Sequence, residues 1–331
     1  MIFKLFACCI PVKGPLRTII CDLQRRTFSF IPNKIYELLT EYKDKHIDFI
    51  KSEFNNEYDN QIDIYYAHLI EKEFGFFCEN PEQFPEIDLT WKHPSIITNA
   101  IIDFNKFSNH DVKMLANELE NLGCIAIQLR FFDYTTLGKI QTILNSFNLS
   151  RIHDIELILK DSRKLHLDNI EKLCFSNPRI SRIIVHSSTK TEKKLANPIK
   201  TPILFTQVGI VDHTYCGYID YSHFMVNIPH FTESQKYNNC LNKKIGIDVF
   251  GEIRNCPSMS KSYGNIKDYS ISEVVIKKDF QEIWHVSKNL IDICKICEFR
   301  FVCPDCRAYT VENGKNSKPI RCSYDPYKAK W

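Results

Sequence analysis

Residues 95–132 read SIITNAIIDFNKFSNHDVKMLANELENLGCIAIQLRFF, and this stretch decides the fold. Ser95–Phe104 is an apolar, β-branched run of strand length. From Asp111 to Leu122 the apolar residues Val112, Leu115, Ala116, Leu119 and Leu122 recur at helical spacing, and Gly123 stops the helix. Cys124–Phe132 is again a strand. Strand, helix and strand in that order predict parallel strands joined by a crossover.

The pattern repeats downstream. Thr135–Phe147 reads as a helix, Asp154–Leu159 as a strand, Asp168–Phe175 as a helix, Arg179–His186 as a strand and Pro202–Ile210 as a fifth strand. A unit of about 28 residues predicts an α/β fold with a parallel sheet. In parallel (β/α) barrels, functional residues gather at the C-terminal strand ends. Those ends carry Phe104, Asn105, Arg130, Phe131, Asp133, Lys160, Asp161, His186 and Ser187. A small sheet without chemistry is an equal reading. Thr189–Lys194 (TKTEKK) reads as a solvated loop.

Upstream, Arg17–Phe30 reads as a β-hairpin, Pro32–Tyr42 as a helix with proline near its first turn, and Ile62–Phe74 as a second amphipathic helix. A hairpin with helices resembles the winged-helix modules that grip leader peptides by strand addition. The alternative is a packing domain that closes the sheet.

The 331 residues leave room for two or three domains. Lys plus Arg is 43 and Asp plus Glu 40, so the net charge of +3 excludes a strongly electrostatic nucleic-acid binder. No apolar run approaches the ~18 residues of a membrane span. Too few apolar residues precede Cys8 for a secretion signal, so a cytoplasmic setting is expected. The cysteines then read as metal ligands or core residues, not disulfides. His93, His110 and His153 read as surface or capping residues. No Walker-type loop is present, so ATP binding would belong to a partner.

Seven of the fourteen cysteines lie in the last 92 residues: Cys240, Cys256, Cys294, Cys297, Cys303, Cys306 and Cys322. Cys294-Lys-Ile-Cys297 and Cys303-Pro-Asp-Cys306 are two C-x2-C pairs separated by five residues. Thiolates at that spacing turn toward one metal centre across a tight knuckle. A zinc ribbon separates such pairs by about 15–20 residues. Seven thiolates also divide into a complete four-ligand site and a three-ligand site, which suits iron–sulfur clusters; zinc is the alternative.

The spacing Cys240-x10-Gly251-x4-Cys256, then Cys294-x2-Cys297-x5-Cys303-x2-Cys306, then Cys322 closely resembles the seven-cysteine signature of SPASM domains. These carry auxiliary iron–sulfur clusters in radical SAM peptide-modifying enzymes. Asp248–Pro257 resembles the hairpin before the second ligand, Tyr263–Ile266 the GNI turn after it, and Phe299-Arg300 the aromatic-Arg pair after C-x2-C. The last pair is one residue shorter than the family pattern. The resemblance implies that Cys294, Cys297, Cys303 and Cys322 hold an outer cluster, and Cys240, Cys256 and Cys306 an inner one. Its fourth ligand would be open or come from elsewhere, as from Cys216. The C-x3-C-x2-C of a catalytic radical SAM cluster is absent, so S-adenosylmethionine is not expected. Cys8-Cys9 is a poor substitute, because adjacent side chains on an extended chain point to opposite faces.

The whole chain resembles the SPASM-domain peptide maturases of grasp-with-spasm systems, through Phe3–Phe6, Cys9–Gly14, Glu73–Phe76 and Asp325-Pro326-Tyr327. This implies an N-terminal α+β module over 1–92, a reduced partial (β/α) barrel like the radical SAM core over 93–230, and a SPASM domain with two [4Fe–4S] clusters over 231–331. The implied partners are a ribosomally made precursor peptide and an ATP-grasp ligase. The resemblance assigns the chain no chemical step of its own. A redox enzyme working at an open cluster iron and a zinc-stabilised adaptor without chemistry are the other readings.

Overall fold

The computed structural model describes residues 1–162, 165–311 and 314–331. The chain divides into two compact units. One comprises Met1–Lys92, Tyr218–Asn239 and His285–Trp331; the other comprises His93–Gly217 and Cys240–Trp284.

The first unit begins with β1 (Ile2–Leu5), β2 (Cys9–Lys13), β3 (Arg17–Asp22) and β4 (Thr27–Pro32). Helices α1 (Asn33–Glu41), α2 (Ile47–Glu53) and α3 (Asp59–Glu71) follow, then β5 (Gly75–Cys78). Strands β2, β3 and β4 form an antiparallel sheet, and β1 pairs with β5. The expected hairpin is β3–β4. Pro32 sits just outside α1 as its cap, where its missing N–H costs no helical bond. Ile35 and Leu38 face inward from α1 and pack with Phe3, Ile20, Ile50 and Leu69. Gly75 is required by the β1–β5 pair: a Cβ there would lie 2.3 Å from the Lys4 carbonyl oxygen. A second core gathers Val12, Ile19, Phe231, Phe299, Val302 and Tyr324.

The second unit is α/β with one large, mostly parallel sheet. Its elements are β6 (Asn99–Phe104), α4 (Val112–Asn121), β7 (Ala126–Phe131), α5 (Leu137–Ser146), β8 (Asp154–Lys160), α6 (Leu167–Ser176) and β9 (Ile180–His186). Then come β10 (Glu192–Ala196), β11 (Thr201–Phe205), β12 (Lys244–Ile247) and β13 (Ile253–Arg254). The strand order is β10-β11-β9-β8-β7-β6-β12-β13. The six inner strands are parallel, and β10 and β13 are antiparallel edges.

The expected helices have identifiable ends. The Asp111 carboxylate accepts the Met114 N–H at 2.9 Å and caps α4, and Gly123 ends the turn behind it at φ +77°. The Thr136 hydroxyl accepts the Lys139 N–H and caps α5. Three sequence readings need correction. The strand read from Ser95 begins at Asn99, because Ile96 and Ile97 instead donate their N–H groups to the Leu122 carbonyl. The strand read over Pro202–Ile210 ends at Phe205. Residues 192–194 belong to β10 and not to a solvated loop. Charged residues on an edge strand satisfy a sheet on one side and water on the other, so composition alone misleads there. Among the described residues no helix is long and apolar enough to cross a membrane.

Candidate metal centre

In the first unit Cys294, Cys297, Cys303 and Cys322 line one cavity. Its frame is local. Ile293 takes φ +66°, and the Cys297 N–H returns to the Cys294 carbonyl at 3.0 Å, closing the C-x2-C knuckle. The Arg300 N–H donates to the Cys297 carbonyl, and the Cys303 N–H to the Phe299 carbonyl at 3.0 Å. Phe299 is fully buried among Phe28, Phe30, Tyr221, Phe224 and Tyr324, which anchors the loop. Glu298 is buried beside it and accepts from Arg17 at 2.8 Å and from the Tyr324 hydroxyl at 2.5 Å. Gly14 leaves the room for that carboxylate, since a Cβ would meet its Oε2 at 2.7 Å. Arg300 donates to the Lys13 and Cys297 carbonyls at 2.8 and 2.9 Å.

Burial pushes the Cys294 thiol up to about 11 and the Cys303 thiol up to about 12, against the pull of the Lys288 ammonium. Burial also pushes Cys297 up. Lys288 lines the same cavity with its side chain 4% exposed, and among the described residues its Nζ has no hydrogen-bond partner. Burial alone would lower its pKa, but the Asp305 carboxylate at 3.7 Å and the thiols of Cys303 and Cys294 outweigh burial. Asp305 also pairs with Arg307 at 2.7 Å and accepts from Asn238 at 2.6 Å. An unbonded buried ammonium beside four thiols fits an anionic thiolate-bound group. Arg307 is itself buried and so committed to the fold.

In the second unit Cys240 and Cys256 pack with Ile101 and Leu241. Cys256 is pushed up to about 11, first by burial and then by the neighbouring thiols of Cys240 and Cys216. The Lys244 Nζ lies 3.9 Å from the Cys240 sulfur. The hairpin read over Asp248–Pro257 begins earlier, at β12: Gly246 pairs with Arg254 and Ile247 with Ile253 across β12 and β13. The GNI turn closes over it, with the Asn265 amide donating to the Phe250 carbonyl at 3.0 Å and the Ile266 N–H to that of Gly251 at 2.9 Å. Cys306 is buried and belongs to the first unit.

The strand-end residues are mostly structural. Asp103, which the sequence reading missed, pairs across the parallel ladder with Arg130. The pair is bidentate, at 2.5 and 2.7 Å, and both side chains are buried. Burial alone would lower the Arg130 pKa, but Asp103 outweighs it and holds the charge. Phe104 and Phe131 stack at 4.8 Å within the core. His186 is fully buried: Nδ1 accepts the Ile210 N–H at 3.2 Å, so Nε2 donates to the Phe131 carbonyl at 3.1 Å. Asn105 accepts the Phe107 N–H, Asp133 accepts the Lys106 N–H, and Lys160 lies over the Tyr134 ring. The Asp161 N–H donates to the His186 carbonyl, and Ser187 follows at φ +56°. His110, expected as a surface or capping residue, is half-buried and bonded to the Asp103 carbonyl at 2.9 Å.

A third group also overturns its sequence reading. Cys8 and Cys9 do not point to opposite faces. Cys8 lies in a turn, not in an extended strand, and its sulfur, that of Cys9 and a carboxylate oxygen of Asp22 lie within 4.8 Å of one another. Fourteen cysteines and this Cys-Cys-Asp group thus give the chain donors for metal. No family model matches the chain, and no curated protein matches it.

Proposed function

We propose that this protein serves in the maturation of a ribosomally made peptide, as a SPASM-domain maturase that binds the precursor beside an ATP-grasp ligase and holds two [4Fe–4S] clusters. The observation that carries this reading is the cavity lined by Cys294, Cys297, Cys303 and Cys322 together with the unbonded Lys288 ammonium. The spacing of the sulfurs favours clusters over zinc. One tetrahedral zinc draws its thiolates to about 3.8 Å of each other. Among the described residues, no three of these four thiols gather even within 4.8 Å. A cubane instead takes each thiolate on a separate iron, so the sulfurs stand further apart.

Within the second unit the inner site would draw on Cys240 and Cys256, with Cys216 as a further thiolate because it already acts electrostatically on Cys256. When bound, such clusters supply electron transfer or, at an open iron, a Lewis acid. The parallel core of the second unit is compatible with a partial (β/α) barrel that has lost its catalytic cluster. The precursor would add as a strand to β4, whose outer edge pairs with no strand among the described residues.

Metal and sulfide analysis of anaerobically purified protein tests the cofactor: about eight iron and eight sulfide per chain are expected. Zinc without iron would overturn it and leave the adaptor reading. Hydrogen exchange with and without the precursor tests the partner. Added protection at Thr27–Pro32 is expected, and no protection anywhere in the chain would refute peptide binding.

A further inference from the structure

We propose that Cys8, Cys9 and Asp22 form a separate binding site for one divalent ion of the zinc class. Two features of the backbone build it. Cys9 stands directly opposite Asp22 in the β2–β3 ladder. The Cys9 N–H donates to the Phe6 carbonyl at 2.8 Å and the Leu23 N–H to the Cys8 carbonyl at 3.0 Å, and this turn swings Cys8 out of the strand's alternation. The three donor atoms therefore converge.

Asp22 is 3% exposed, which sets it apart from a solvated surface acid. Its Oδ1 accepts the Gln24 and Arg25 N–H groups at 3.1 and 2.9 Å, which fixes the carboxylate as a ligand requires. Its Oδ2 lies 3.6 Å from the Arg25 guanidinium. Cys9 is buried, and Cys8 is half-exposed, which gives an ion its way in. The Gln24 amide oxygen, 3.7 Å from the Cys8 sulfur, or a water completes a four-donor set.

The donor chemistry selects the ion. Magnesium and calcium take oxygen ligands, whereas two thiolates with a carboxylate suit zinc. Thiolate–zinc bonds of about 2.3 Å need sulfurs about 3.8 Å apart, within reach of a rotamer adjustment. Binding releases two thiol protons to solvent. Two thiolates, one carboxylate and Zn²⁺ leave a net charge of −1, which Arg25 faces. Without an ion, burial and the neighbouring Cys8 and Asp22 hold the Cys9 thiol protonated.

The test uses the full chain, purified anaerobically with its C-terminal cysteines intact, given equimolar Zn²⁺ and desalted. One zinc per chain should remain, and X-ray absorption at the zinc edge should read two sulfur and two oxygen or nitrogen neighbours. Cys8→Ser and Asp22→Asn should each weaken zinc binding more than about tenfold, with iron content unchanged. Asn keeps the acceptor for the Gln24 and Arg25 N–H groups, and Cys8 is the half-exposed ligand, so its variant decides if the other misfolds. Four sulfurs around zinc would place the ion in the C-terminal cysteines and overturn the proposal. So would zinc retention unchanged in Cys8→Ser. A wild-type chain that keeps no zinc and runs 2 Da light, as a Cys8–Cys9 disulfide, would overturn it too.

Discussion

Lys288 shows how a single buried charge can report on what occupies a cavity. Among the described residues its ammonium has no hydrogen-bond acceptor, and Asp305, 3.7 Å away, keeps an ion pair with Arg307 and a hydrogen bond from Asn238 without it. Lys288→Met should therefore change the stability of the metal-free protein by only about 1 kcal/mol, since no buried charge is left unpaired. In the iron-loaded protein the same change should lower the cluster reduction potential, because a nearby positive charge favours the reduced, more negative state. Redox titration by electron paramagnetic resonance checks this, and an unmoved potential would separate Lys288 from the cluster. His186 is a residue of the opposite kind, satisfied on both nitrogens. His186→Ala strands the Ile210 N–H and the Phe131 carbonyl and opens a cavity, at a cost of about 3 kcal/mol in chemical denaturation. Burial lowers the His186 pKa in the folded state, so the unfolded chain binds the proton first. Its contribution is present above about pH 6.5 and lost as pH falls through the folded value. Part of the acid sensitivity of the wild type should disappear in a His186→Phe variant. Neither residue was legible as structural in the sequence. Lys288 sits in an unremarkable polar stretch, and His186 at a strand end looks the same whether it is a ligand or a core donor.

The long periodic elements could be read because local pattern and burial agree. β6, α4, β7, α5, β8, α6 and β9 all carry apolar residues at the period of their own structure. β10 and β12 could not. β12 is four residues long and pairs in parallel with β6, about 145 positions earlier in the chain. β10 alternates Glu192, Lys194 and Ala196 on one face with Lys193 and Leu195 on the other, where both are exposed. Its lysines guard an edge against pairing with another chain. Lys193→Ile would lay a continuous apolar stripe with Leu195 along that edge. Concentration-dependent self-association should appear by light scattering, while Lys193→Gln should stay monodisperse. Equal behaviour of the two variants would mean that the edge needs no guard. The Cys8–Cys9 turn failed to be read for a related reason. Alternation is a property of strands, and the short turn through Ala7 and Cys8 cancels it without changing composition.

At the scale of the whole chain, the C-terminal cysteines are shared between the two compact units, with Cys294, Cys297, Cys303, Cys306 and Cys322 in the first and Cys240 and Cys256 in the second. The C-x2-C spacing was legible because it is local, but which thiols share a neighbourhood depends on long-range packing. Cys294, Cys297, Cys303 and Cys322 rest on the aromatic core around Phe299, which recruits Phe28 and Phe30 from the N-terminal hairpin. Cys240 and Cys256 rest instead on β6 through Ile101 and on the β12–β13 hairpin. The two groups therefore draw their stability from different cores. Cys294→Ala with Cys322→Ala should remove about half of the iron. It should also raise hydrogen exchange through 285–311 and 314–331, because the knuckle bonds lose the ligand that clamps them. Amides of Asn99–Phe104 and Ala126–Phe131 should keep their protection, since their ladder is independent of that loop. Cys256→Ala should do the reverse, loosening Lys244–Ile247 and Ile253–Arg254 and leaving the Phe299 core intact. If either variant stripped all iron and loosened both regions together, the two cysteine groups would be one cooperative centre and not two.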